Sequence, residues 1–230
     1  MPTVGLHWTF SKSLLVPFIT LKATRKLDGE RNTSAFVAMS TATKGLRANS
    51  ANLRQEIEKH MSEVNRSRVV TIVRNDYASF KYAVENLEEM MSSSELCIVP
   101  PGDAPSSKRF FDAINCLCVP YLLADYFMLP FEDMPVDYNE VIFQHSSRQV
   151  YKLGQTLCDL IENRTEIHEK REKLEKIKKM FTWDYKNKPR DGEALWLLSW
   201  ALYDKHRMIE PYKNNEMTGF DNDPDFEFVK

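Results

Sequence analysis

The 230-residue sequence predicts an α/β fold: a parallel sheet covered by helices on both faces, followed by C-terminal helices. Three observations predict it. Short apolar runs rich in β-branched residues alternate with longer segments of helical periodicity. The runs are continuously apolar rather than alternating, as strands buried on both faces are. Proline, glycine and serine punctuate the ends of the runs.

The elements follow in order. Ala35 to Met39 reads as a strand and Leu46 to Val64 as a helix. Arg68 to Val73 is β-branched and reads as a second strand. Tyr77 to Met91 reads as a helix, with Phe80, Ala83, Val84, Leu87 and Met91 on one face. Leu96 to Val99 is a third strand, stopped by Pro100-Pro101. Ser107 to Cys116 reads as a helix and Val119 to Leu123 as a fourth strand. This alternation is the pattern of β-α-β units in a parallel sheet. Beyond Asp125 a proline-containing loop, Leu129 to Asp137, leads to a short strand at Glu140 to Phe143. Helices are expected at Ser147–Glu162, Glu166–Phe181 and Gly192–Met208. Residues 169 to 179 are dense in Lys and Glu and read as a solvated face laced with i,i+4 pairs. Trp183, Trp196 and Trp200 read as packing for the last helices, because Trp196 and Trp200 share a face with Leu197.

Lys and Arg number 31 against 33 Asp and Glu, so no basic excess points to nucleic acid. No apolar run reaches the length of a membrane span. Met1 to Thr20 lacks a basic start followed by a compact apolar stretch and reads as a poor signal peptide. The four cysteines, at 97, 116, 118 and 158, lack the spacing and histidine partners of a zinc site. Cys97 and Cys118 lie in apolar runs and read as buried free thiols. The Asn-x-Ser/Thr pattern occurs at Asn32, Asn65 and Asn163, which points only faintly to a secretory lumen.

The stretch Glu95 to Ile114 carries the chemistry. A strand ends at Pro100, and a loop with Gly102, Pro105, Ser106 and Ser107 turns into a helix. A helix start offers unpaired N–H groups and the positive end of the dipole, which suits phosphate. Two hydroxyls, Lys108 and Arg109 gather there. Asp112, one turn after Arg109, is placed to accept from ribose hydroxyls. Such ligands bind beyond the carboxyl ends of parallel strands. The plain alternative is a strand–loop–helix with a capping serine and a surface Lys-Arg pair.

The order Pro100, Gly102, Asp103, Pro105, Ser106, Ser107, Arg109, Phe111, Asp112, Ala113, Ile114 resembles the signature of the exostosin glycosyltransferases. It continues as Cys118-Val119-Pro120 and Leu129-Pro130-Phe131-Glu132, with Ala124-Asp125 where plant-like members have Ser-Asp. Leu15-Val16-Pro17, Arg31 to Met39, Gly45-Leu46-Arg47 and Phe181 to Tyr185 extend the likeness over residues 12 to 205. The resemblance implies the C-terminal, Rossmann-like half of a GT-B glycosyltransferase. It implies an inverting transfer from a UDP-sugar without a bound metal or other cofactor, in glycan or cell-wall polysaccharide synthesis in the Golgi lumen. Ser106, Ser107, Lys108 and Arg109 would hold the diphosphate, Asp112 the ribose, and Arg47 a further phosphate contact. Residues 1–30 would be the remnant of the N-terminal half, 31–210 the donor domain, and 211–230 an acidic, disordered tail.

The sequence departs from the family pattern in places. The N-terminal half and its anchor are expected to be absent, which puts the acceptor site and the general base on a separate domain or partner subunit. Glu132 and His145 are the candidates for a base on this chain, whereas His168 is expected to face solvent and His60 is isolated. Met39 stands where the family has Gly, Leu117 where it has a small residue, and Ser13 where it has Asp. Two alternatives stay open. One is a non-catalytic relative that binds nucleotide sugar or a partner subunit. The other is an unrelated nucleotide-binding module, which would need a G-x-G-x-x-G or G-K-[ST] loop that the sequence lacks.

Overall fold

A computed structural model describes residues 14–18, 29–40, 48–72, 76–102, 106–131, 136–183 and 193–214. Its strands are β1 (Thr33–Ser40), β2 (Ser67–Ile72), β3 (Ser94–Val99), β4 (Val119–Leu123) and β5 (Phe143–His145). Its α-helices are α1 (Ala48–Met61), α2 (Tyr77–Ser92), α3 (Lys108–Asn115), α4 (Leu153–Glu162), α5 (Arg164–Ile177) and α6 (Ala194–Asn214). The strands form one sheet in the order β2-β1-β3-β4-β5, and every pairing is parallel. The register sets Val37 beside Val69, Phe36 beside Cys97, Ile98 beside Tyr121, and Leu122 beside Gln144.

The strand period of two divides the core. Ala35, Val37, Leu96, Ile98, Val119 and Tyr121 face one way, against Ile57 and Met61 of α1 and Leu153 and Leu157 of α4. Phe36, Ala38 and Cys97 face the other way, under Leu87, Met90 and Met91 of α2. Val99 and Leu122 share that second face with Phe110, Phe111 and Ile114 of α3. All five residues of β4 are buried, which explains its unbroken apolar sequence. The segment 14–18 closes on the end of this layer: Trp183 Nε1–H donates to the Pro17 carbonyl at 2.9 Å, and Phe18 packs on Phe111.

Two buried guanidiniums secure the edge where the strands begin. Arg31 donates through Nη1 to the carbonyls of Ser92 (2.8 Å) and Ser94 (2.7 Å), and through Nη2 to Cys116 (3.3 Å). Arg171 donates to the carbonyls of Leu117 (3.1 Å) and Glu95 (3.2 Å) and pairs with the Glu95 carboxylate. These contacts tie the two guanidiniums to carbonyls at the start of β3 and in the turn after α3. Leu117 sits between them at φ 54°, fully buried. A left-handed backbone favours a small residue, and packing holds leucine there instead.

Several expectations are corrected. Cys97 and Cys118 are not free thiols: they form a disulfide, with Cα atoms 5.6 Å apart. Their 21-residue separation spans a whole crossover, and only the pairing of β3 with β4 brings them together. Cys116 and Cys158 are free, and burial pushes the Cys116 thiol up to about 11. The strand expected at 140–143 falls at Phe143–His145 instead. Asp137 caps a 3-10 turn at Tyr138–Glu140, and Val141 and Ile142 turn into the core. The charged helix face is not wholly solvated, because Arg171 is buried and Lys170 lies 4.7 Å over the Phe143 ring. Burial lowers the Lys170 ammonium from its ordinary range. Trp200 is half exposed while Leu197 is buried, so their shared face is not all core. His168 does face solvent, beside Glu172. The helix α6 runs to Asn214, into the segment expected to be a tail; residues 215–230 lie outside the described residues.

Two predictions follow from these contacts. Thiol titration of the unreduced, denatured chain is expected to find only Cys116 and Cys158. Replacing Cys97 and Cys118 together by Ala is expected to cost about 3 kcal/mol by denaturant unfolding, from the lost loop constraint; four titratable thiols would exclude the bridge. Arg171→Ala strands a buried carboxylate and two carbonyls and is expected to cost about 3 kcal/mol or more in the same measurement.

Candidate functional site

The winding direction of the sheet reverses at β1 and β3. The chain leaves β1 toward β2 on one side, then returns to place β3 on the other. The helices that follow β1 and β3 therefore pack on opposite faces, and a crevice opens at the carboxyl ends of the two strands. A cleft of about 360 Å3 lies there, lined by Ala38, Met39 and Ser40 of β1, Ile72 of β2 and Arg54 of α1. Pro100, Pro101 and Gly102, together with Ser107, Lys108 and Arg109 at the start of α3, complete it.

The start of α3 borders the cleft. Ser107 is its N-cap residue, in extended conformation, yet its hydroxyl makes no capping bond. The first N–H groups of a helix have no partner within it. Ser106 is buried just before. Asp112 is fully enclosed, and its two oxygens are divided: Oδ1 accepts from Lys108 Nζ at 2.7 Å and Oδ2 from Arg109 Nη1 at 3.0 Å. Its carboxylate is closed off beneath the cleft and braces the two cations, whose own side chains are 46% and 27% exposed.

Sequence reasoning missed Arg54. It lines the cleft from α1, where its guanidinium donates to the carbonyl and hydroxyl of Ser40. A signal existed: Arg54 falls seven residues after Arg47, two turns on in the helix that the sequence predicts from Leu46. Arg47 itself lies outside the described residues, as do Glu132, Asp103 and Pro105. Among the described residues no acidic one lines the cleft, while Arg54, Lys108 and Arg109 do, so the charge of the described lining is positive although the whole chain is slightly acidic. Met39 does line the cleft, as the bulkier residue at the family's glycine position.

His145 does not line it. The residue ends β5, with its ring stacked on Tyr121 at 4.9 Å and its Nδ1 buried without a partner among the described residues. Beyond it Asp125 accepts from the hydroxyls of Ser146 and Ser147, which holds its carboxyl below the usual carboxylate range. Burial lowers the His145 imidazole below its ordinary 6.5. The folded state favours the neutral ring, so this contribution to stability is fully present above pH 6.5 and is lost as pH falls below that value through the folded ring's lower one. An NMR titration of the ring is expected to give a midpoint below 6.5; a midpoint at or above it would mean a solvated ring.

Comparison with known proteins places this site in context. The family model of the Exostosin GT47 domain matches residues 9–159, which include the whole cleft. A probable arabinosyltransferase of Arabidopsis thaliana is 29% identical over 121 residues, covering 50% of this chain and 27% of that protein. Exostosin-1c of Danio rerio is 27% identical over 84 residues, covering 36% of this chain and 11% of that one. The chain thus spans about a quarter or less of the length of these curated relatives. Among solved structures it is similar to a chain of the GtfA/B complex, at 8% identity and TM-score 0.45 over 73% of this chain and 36% of that one. It is also similar to TarM, at 9% identity and TM-score 0.42 over 71% of this chain and 34% of that one. The family match extends over well more than half of the sequence, and the chain belongs to the exostosin GT47 family.

Proposed function

We propose that this chain is the donor-binding half of a glycosyltransferase, corresponding to the C-terminal domain of a GT-B enzyme. The donor is a UDP-sugar, the transfer inverts the anomeric centre without a bound metal, and the product extends a glycan or cell-wall polysaccharide in the Golgi lumen. One observation carries the reading: the cleft at the switch point is lined by a helix start and three cations, two of them fixed by one buried carboxylate. Family membership supports it. The Cys97–Cys118 disulfide supports a luminal compartment, because such bonds persist where the surroundings oxidise.

The chemistry is a displacement. An acceptor hydroxyl oxygen attacks the anomeric carbon, the bond to the β-phosphate oxygen breaks, and UDP leaves. Negative charge grows on the departing phosphate oxygens. Donors already aimed at that charge lower the barrier without reorganising during the reaction. The N–H groups of α3, the hydroxyls of Ser106 and Ser107, Lys108 and Arg109 are such donors. Arg109 suits a bidentate phosphate contact. Asp112 holds both cations in place before the ligand arrives, which reduces the ordering cost of binding. The acceptor proton goes to a general base supplied by the N-terminal half or a partner subunit. Glu132 and His145 are the residues on this chain to test for that part.

Thermal unfolding with a panel of nucleotides tests the proposal, since a ligand that binds only the folded state raises the midpoint. UDP and UDP-sugars are expected to raise it and adenine nucleotides to leave it unchanged. Arg109→Ala removes a charged donor and is expected to weaken UDP by roughly 10- to 100-fold with little change in the ligand-free midpoint. Asp112→Ala is expected to weaken UDP too, and to lower the ligand-free midpoint by a few degrees because its carboxylate is buried and paired on both oxygens. Wild-type UDP affinity in Arg109→Ala would remove the site assignment.

A further inference from the structure

The Asn-x-Ser/Thr sequences at Asn32, Asn65 and Asn163 take no part in the cleft, and the fold gathers them at the opposite pole. In a parallel sheet every strand begins on one edge and ends on the other. The cleft occupies the ends. Asn32 immediately precedes β1, and Asn65 stands two residues before β2. Their segments are joined where the Ser34 N–H donates to the Arg66 carbonyl at 2.9 Å. Asn163 links α4 to α5. The helix α4 starts beside the end of α1, where a Cβ on Gly154 would stand 3.2 Å from the His60 carbonyl. From Asn163 the helix α5 passes beneath the strand starts, where Arg171 reaches Glu95 and Leu117.

The three sites differ in how they present their groups. All three asparagines are exposed. Asn163 occupies the N-cap of α5 without a side-chain capping bond, and Arg164 and Thr165 beside it are exposed. Its amide and the Thr165 hydroxyl are therefore offered together on a convex surface between two helices. At Asn65 the asparagine and Arg66 are exposed, but the Ser67 hydroxyl is half-buried and donates to the Met61 carbonyl at 2.5 Å. At Asn32 the hydroxyl residue is Ser34, 1% exposed inside β1. Its hydroxyl is sealed in the sheet.

We propose that Asn163 is an N-glycosylation acceptor, that Asn65 is a weaker one, and that Asn32 stays bare, so that the strand-start pole is a glycan-covered face. In the transfer the Asn163 amide nitrogen bonds to the anomeric carbon of an oligosaccharide carried on a lipid diphosphate. The bond from that carbon to the diphosphate oxygen breaks, the lipid diphosphate leaves, and the amide gives up one proton to a base. The inference rests on the luminal compartment that the disulfide indicates, and not on the donor-binding reading. The glycan lies across the sheet from the cleft, leaving Arg54, Lys108 and Arg109 accessible.

The full chain is expressed behind a secretory leader in animal cells, and its total membrane-enclosed pool is analysed by peptide mass spectrometry. Peptides are compared before and after an amidase that converts occupied Asn to Asp in heavy-oxygen water. The peptide holding Asn163 is expected to be occupied in most molecules, that holding Asn65 in fewer, and that holding Asn32 in none. Asn163→Gln and Thr165→Ala are each expected to remove the same mobility shift, the second with the asparagine intact. Enzymatic removal of the glycans is expected to leave the UDP-induced thermal shift unchanged. An unoccupied Asn163 in a pool that carries the Cys97–Cys118 bridge would overturn the proposal, as would occupancy of Asn32 equal to that of Asn163. A failure of the UDP shift alone bears on the donor reading and leaves the glycan result standing.

Discussion

Because β1 pairs with β2 on one side and with β3 on the other, the chain must reverse its winding between α2 and β3. Much else depends on that reversal. It sends the helices after β1 and β3 to opposite faces and opens the cleft at the strand ends. It makes β3 a central strand buried on both faces, so that its carboxyl end delivers Pro100 to Gly102 at the middle of the sheet. It also sends α3 across the second face, with its first turn at the cleft and its last at the disulfide. A shift of β1 to an edge would leave the same residues and no crevice.

Charge is distributed to match. At the cleft, cations stand in excess over the one enclosed carboxylate. At the opposite pole, Arg31 and Arg171 are used up on main-chain carbonyls and Glu95. Buried charge is costly unless it is paired or fully bonded. The two poles solve this in opposite ways: one leaves its positive ends facing outward, and the other turns them inward to close the strand starts. The sheet between them is held by packing on both faces and by the bridge between β3 and β4. Leu117 at its left-handed position shows how surrounding packing holds a bulky residue where the backbone favours a small one.

The chain's own residues announced most of the fold. Continuous apolar runs at 35–39, 68–73, 96–99 and 119–123 became β1 to β4 with their ends moved by a residue or two, because burial on both faces forces that pattern. The fifth strand was displaced since Val141 and Ile142 are as apolar as any strand residue but point into the α3 layer. Local composition does not distinguish a strand from a buried turn. In the same way, the Lys/Glu texture of 169–179 hid Arg171, whose carbonyl partners come from strand starts more than fifty residues away.

The sequence alone determined which polar and cationic residues gather at the start of α3: Ser106, Ser107, Lys108 and Arg109 are neighbours along the chain, and a strand–loop–helix brings such neighbours to one point. It also determined the parallel α/β class, through periodicity. The tertiary structure decided the rest. It enclosed Asp112 and paired its two oxygens with Lys108 and Arg109, because enclosure depends on what packs over α3. It brought Arg54 to the cleft from another helix, joined Cys97 to Cys118, and separated the Asn-x-Ser/Thr sites from the cleft by the depth of the sheet. Each of these is a relation between residues distant in sequence, and such relations exist only once parallel pairing has closed the intervening loops.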